Sequence, residues 1–287
     1  MDYVLGLCII IVIYIIGAMS FNLLLGHANI FSVAHAGFIG IGAYSTAIFT
    51  VKLGINFLGG MIVGILIAGV IGYIFALLTL RVSGDYMVVA SFGLLIIFNQ
   101  IFSNWTVVTN GGRGFPGIMK PELFGYPIIG KPEFLIFSFI ILIVCYIIIG
   151  RLIESPFGRV LRAMGNNEVA AKSLGKNVVQ YKILVFTVTG AIAAISGSLY
   201  AHYITFINPT DFNVHLTMFL LTIIIIAGTK KLWTVIIGAV FLVLVPEIIG
   251  FIHLPNSIAA GIEQLFYGLI LVLFALLRPK GILSTKS

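Results

Sequence analysis

The stretch VLGLCIIIVIYIIGAMSFNLLL, residues 4–25, decides the fold class, because it holds 22 residues without one Asp, Glu, Lys or Arg. A helix crosses the hydrocarbon core of a bilayer with about 20 apolar residues, so this run is of spanning length. It is too long for the apolar region of a secretory leader, and no Lys or Arg precedes it, so it reads as a retained first span. Runs of the same kind recur at 30–51, 57–80, 86–102, 134–149, 181–203, 216–227, 232–252 and 258–277. Eight or nine crossings are expected, the run 216–227 being short for one.

The composition agrees. Of 287 residues, 60% are hydrophobic and 9% charged, against about 25% charged in a soluble domain. The alternating pattern of about ten residues that marks an outer-membrane barrel is absent. The expected fold is all-α: a polytopic helical membrane protein forming a single transmembrane domain over residues 1–287. Lys and Arg outnumber Asp and Glu by 16 to 9, which in a membrane chain marks cytoplasmic loops rather than a nucleic-acid surface. Cys8 and Cys145 lie in separate apolar runs, outside any C-x-x-C or Cys/His cluster, and read as packing thiols. No metal site is expected.

Orientation follows from where the basic residues fall. Residues 151–182 hold Arg151, Arg159, Arg162, Lys172, Lys176 and Lys182, whereas the loops 204–213 and 253–257 hold neither Lys nor Arg. The first segment is therefore inside. Counting along the chain puts Lys230, Lys231, the tail with Arg278, Lys280 and Lys286, and the turn 81–85 inside as well. Residues 103–132 fall outside, where the Gly- and Pro-rich TNGGRGFPG marks irregular structure that either folds over as a cap or meets an external partner. The sequence does not fix the side of Met1. The tract 20–47 mixes polar and glycine residues into an apolar background and fits two full spans or one full and one broken span.

Residues 150–180 form a polar island. Ser155-Pro156 is a helix start, with Arg159 and Arg162 on one side of the helix that follows. An Asn cap with Glu168 in the first turn opens a second short helix, and Gly175 closes it in the left-handed conformation. Helices this short are marginal alone and must lie against something. Ala170, Ala171 and Leu174 offer a small apolar face, which suits either a groove on a partner protein or the lipid headgroups.

The run Glu168-Val-Ala170-Ala171-x-x-Leu174-Gly175 resembles the EAA-type cytoplasmic loop of ABC importer permeases. The wider stretch ESPFGRVLRAMGNNEVAAKSLGKN, with NLLLGHANIFSVAHAGFIGIGAY, LRVSGDYMVVASFG, TNGGRGFPGI, VPEIIG and LRPKGIL, is similar in order to branched-chain amino acid permeases of the LivM type. The resemblance implies a bacterial or archaeal inner-membrane subunit paired with a LivH-type permease, two cytoplasmic ATPase subunits and an external substrate-binding protein. It also implies that ATP and Mg are bound by the partner subunits, with no cofactor in this chain. One departure stands out: Lys230 and Lys231 occupy a turn that is Gly-rich in the family.

The bare residues are compatible with that expectation. The chain lacks a G-x-x-x-x-G-K-[ST] loop for ATP phosphates, so the energy must enter from another subunit. The coupling residues expected are Arg159, Arg162, Glu168, Ala170, Ala171, Leu174 and Gly175. A pathway is expected in the tract 20–47, through Asn22, His27, Asn29, Ser32, His35 and Gly40, since polar groups at membrane depth face cavities or other helices. Two bland readings stand beside it: Ser32, Ala36 and Gly40, like Ala43 and Ala47, have the four-residue spacing of close helix packing, and the polar side chains can satisfy the backbone of a broken helix. Asp85 is expected to pair with Arg81, and Glu247 and Glu263 to snorkel near the outer ends of the last spans. Branched aliphatic amino acids suit a pore without fixed charge, but so do urea, short amides and simple sugars. An intramembrane enzyme is disfavoured by the lack of an H-E-x-x-H motif or paired intramembrane acids, and a stand-alone carrier by the capped island.

Overall fold

The computed structural model describes residues 2–79, 82, 84–123, 126–228 and 231–250, together with 265, 268, 269, 272 and 273. Helix α1 (Asp2–Asn22) continues as a π-helical turn, Leu23–His27. Then come α2 (His35–Leu53), α3 (Phe57–Leu78), α4 (Asp85–Asn104), the single turn α5 (Thr106–Thr109) and an antiparallel pair of two-residue strands, β1 (Glu122–Leu123) and β2 (Tyr126–Pro127). The rest is helical: α6 (Lys131–Glu154), α7 (Pro156–Asn166), α8 (Glu168–Ser173), α9 (Val178–Ile204), α10 (Val214–Ala227) and α11 (Leu232–Gly250).

Among the described residues six helices are long and apolar enough to cross a membrane, or seven if α10 and α11, bent by 119° at their junction, count as one span. The multi-pass helical expectation holds, but eight or nine crossings are not reached within these residues. Two causes are visible. Helix α10, with 14 residues, rises only about 21 Å, and the expected run 258–277 lies largely outside the described residues. Arg81, Lys230, Glu263 and the basic tail also lie outside them, as does the Asp85 side chain.

Helix α9 runs through the centre, packed on α1, α2 and α3. Its crossing with α2 is backbone to backbone: a Cβ on Gly42 would sit 2.1 Å from the Ala194 carbonyl oxygen, and one on Gly197 1.8 Å from that of Ile39. The hydroxyls of Thr46 and Ser198 meet at 2.6 Å across the same contact. Close packing of small residues is thus real, although its tightest point is at Gly42 and Ala43 rather than along Ser32, Ala36 and Gly40. Cys145 is buried and Cys8 half-buried, both reduced.

Hydrogen bonds sort the connections into two ends. At one end Lys131 Nζ donates to the Asp2 carbonyl at 3.0 Å, Lys52 Nζ to that of Val107 at 2.5 Å, Tyr3 to the Glu247 carboxylate, and Phe115 pairs with Ile207. Residue 2 therefore shares its end with the segment 105–130, and Glu247 has a partner there. That segment folds back on the bundle as a cap. The opposite end holds α7, α8, the end of α3 and the start of α4.

Two helices begin inside the bundle. His35, at the start of α2, pairs with Ser20 at 2.7 Å, seven residues before the π-helical turn ends. Thr217, in the first turn of α10, bonds the Val33 carbonyl at 2.9 Å. Helix α2 then climbs to the capped end, where Lys52 lies, whereas α11 returns to that end at Glu247. The sets α1–α2–α3 and α9–α10–α11 thus run in opposite senses, each with a broken element after its first helix, the arrangement of inverted repeats in transporters.

Candidate translocation and coupling site

The island 155–177 folds as a hairpin of α7 and α8, for reasons local to the sequence. Pro156 occupies the first position of α7, where its missing N–H costs nothing. The expected Ser155 cap is not formed. Its Oγ donates instead to the Leu152 carbonyl at 2.7 Å, because Ser155 also ends α6, whose last carbonyls are unpaired. Arg162 and Arg159 serve the same end, donating to the Ile153 carbonyl at 2.9 Å and that of Glu154 at 3.3 Å. Their charge suits the negative end of the helix dipole.

Asn167 caps α8 through its side chain, accepting from the Ala170 N–H at 3.0 Å. At the other end Gly175 has φ +76°, and the N–H groups of Gly175 and Lys176 return to the carbonyls of Lys172 and Ala171 at 2.9 and 3.2 Å. This is the Schellman closure that glycine permits. The face of α8 differs from the expected one. Ala171 is 2% exposed and packs inward, while Val169 and Leu174, at 73% and 77%, stand outward with Ala170. A helix of six residues takes its phase from its anchor, here Ala171 in the core beside Leu161 and Met164.

Glu168 ties the hairpin to α9, since its carboxylate meets Lys182 at 2.8 Å and Lys172 at 2.9 Å. Partial burial pushes that carboxyl up, but hydrogen bonds and charge from Lys182 and then Lys172 outweigh it and hold the group below the usual carboxylate range. Lys182 was legible in the sequence only as a cytoplasmic charge. Its side chain is 15% exposed, so it is a structural partner.

The hairpin meets the broken element directly. A cleft of about 400 Å³ lies between them, bordered by Asn29, Phe31, Thr79, Met164, Glu168 and Lys182. Asn29, with φ +53°, donates from Nδ2 to the Gly165 carbonyl at 3.1 Å. Gly165 abuts the same loop so closely that a Cβ there would lie 3.0 Å from the Ala28 carbonyl carbon.

Of the expected pathway residues, Asn29 alone lines that cleft. His27 is buried in the π-helical turn within electrostatic reach of Arg162. His35 is buried between Ser20 and Phe21, stacked on the latter at 4.7 Å. Gly40 lies where a Cβ would meet Phe102 at 2.7 Å and Phe212 at 2.9 Å. Asn22 and Ser32 are fully buried, and their polar side-chain atoms have no hydrogen-bond partner among the described residues.

The backbone of the break is held by residues that sequence reasoning passed over. Ser91 Oγ accepts from the Val33 N–H at 2.9 Å, and Thr217 Oγ1 accepts from the Ala36 N–H at 3.1 Å while donating to the Val33 carbonyl. A lone hydroxyl in an apolar run is the only signal either carried. Among the described residues no cluster of His, Cys, Asp or Glu is suited to a metal.

Comparison with known proteins gives this geometry a context. A family model described as the permease component of branched-chain amino acid transport systems matches residues 3–275. The chain is similar to the high-affinity branched-chain amino acid transport system permease protein LivM of Salmonella typhimurium, at 28% identity over 94% of this chain and 68% of that protein. It is similar to the probable branched-chain amino acid transport permease protein LivM of Methanocaldococcus jannaschii, at 27% over 80% of this chain and 70% of that one. It also resembles the autoinducer 2 import system permease protein LsrC of Escherichia coli, at 26% over 62% of this chain and 53% of the relative. No solved structure matches the chain.

Proposed function

The chain belongs to the family of branched-chain amino acid transport permease components, and on that premise we propose that it is one of two transmembrane subunits of an ABC importer for branched-chain amino acids. Its relatives are permeases rather than enzymes. In this reading a LivH-type subunit completes the membrane part, and an external binding protein delivers substrate at the end capped by residues 105–130. Two cytoplasmic ATPase subunits bind ATP and Mg and drive the cycle in the bacterial or archaeal inner membrane.

The observation that carries the reading is the α7–α8 hairpin, whose caps and ion pairs hold it in place while Val169 and Leu174 are left exposed on α8. An exposed apolar pair on a braced helix fits a groove on a soluble partner, and a docked rigid element converts closure of that partner into rocking of the spans. The substrate path runs by the two broken elements, where α2 and α10 begin inside the bundle. Asn22 and Ser32 supply polar atoms there, and the apolar surroundings suit an aliphatic side chain.

The similarity to an autoinducer 2 import permease supports one alternative, the same build carrying another solute such as urea, a short amide or a simple sugar. Reconstituting the chain with its partners in proteoliposomes separates the two. We expect labelled leucine to accumulate only with ATP inside, and excess urea or glucose to leave uptake unchanged. Uptake that persists without ATP, or no leucine uptake by an assembled complex, would contradict the proposal.

A further inference from the structure

The break between α1 and α2 is tied at both ends to different parts of the molecule. At residues 33–36 it is bonded to Ser91 of α4 and Thr217 of α10. At residues 28 and 29 it is bonded and packed onto Gly165, in the last turn of α7. Seven residues of non-helical or π-terminal chain, 28–34, are all that separates these attachments. A shift of α7 therefore pulls one end of the strap while α4 and α10 hold the other.

We propose that the Asn29–Gly165 contact is the link by which movement of the α7–α8 hairpin reaches the membrane-embedded break, with Asn29 as its positioning residue. Two independent features support it. Asn29 adopts a left-handed backbone at φ +53°, a conformation that Asn tolerates better than most residues, and this turns its amide toward α7. Gly165 allows the approach, because a Cβ there would crowd both Ala28 and Asn29, at 3.0 and 3.1 Å. The two contacts complement each other: the hydrogen bond transmits a pull and the backbone abutment a push. Val169 and Leu174, exposed on α8, remain free to receive the force.

This inference rests on the proposed function and goes beyond it by naming the residue pair that passes the motion inward. The test measures leucine transported per ATP hydrolysed by the assembled complex in proteoliposomes. Asn29→Asp keeps the size and the left-handed tolerance but removes the donor, and Asn29→Gly keeps the backbone and removes the side chain. Gly165→Ala forces the loop and hairpin apart. We expect the ratio to fall about threefold or more in each, the order expected for losing one hydrogen bond, with the ATPase subunits still co-purifying. A ratio unchanged in both Asn29 variants would overturn the link. Loss of assembly in both would overturn it as well, since Asn29 would then be a folding residue. A wild-type complex that takes up leucine without ATP dependence would instead count against the underlying function.

Discussion

Glu168 shows how a single side chain fixes the hairpin. Its carboxyl is held below the usual range, so its ion pairs contribute fully above that range, and the contribution is lost as pH falls through the depressed folded value. Replacing it by Gln should lower thermal stability at pH 7 by on the order of 1 kcal/mol, as for a partly exposed pair. In melting curves of the purified chain in detergent, the gap between wild type and E168Q should narrow as pH drops below about 4. A gap that is constant across that range would show that the charge has no part in stability. Glu168→Lys should act more strongly, since it sets a third cation beside Lys172 and Lys182, and in the assembled complex it should release ATP hydrolysis from uptake. Uptake per ATP at the wild-type level in E168K would remove the hairpin from the coupling path.

At the level of the elements, glycines in the helices differ by what faces them. Gly197 meets backbone of α2, and Ala there should cost more than about 2 kcal/mol, because backbone cannot step aside as a side chain can. Gly150, in α6, has nothing within 4 Å of its would-be Cβ, so Ala should stabilise by about 0.5–1 kcal/mol through helix propensity. Melting temperatures of G197A and G150A that move the same way would contradict this account of the α2–α9 crossing. Most of the helices were legible, because apolar runs of membrane length have few other uses, and among the described residues the helix ends fall within about five residues of those runs, whereas the run 258–277 lies largely outside them. The interior start of α10 was not legible: hydrophobicity reports depth in lipid but not where a chain turns back. The phase of α8 also escaped the pattern, because a single buried alanine in a six-residue helix is indistinguishable from its exposed neighbour until the packing is known. Asn29 was marked as polar in an apolar tract, yet its partner lies 136 residues away, a distance that no local signal spans.

Across the described residues, two oppositely directed sets of helices meet along α9, with broken elements meeting near the start of α10. One end carries the cap of residues 105–130 and the other the hairpin, and the coupling scheme requires that these ends face opposite sides of the membrane with the hairpin inside. The most direct test uses a chain with Cys8 and Cys145 replaced, bearing either Leu174→Cys or Val107→Cys, both positions largely exposed. In right-side-out vesicles treated with a membrane-impermeant maleimide, Val107→Cys should label at once and Leu174→Cys only after permeabilisation. Labelling of Leu174→Cys from outside intact vesicles would place the hairpin out of reach of any cytoplasmic ATPase and contradict the account.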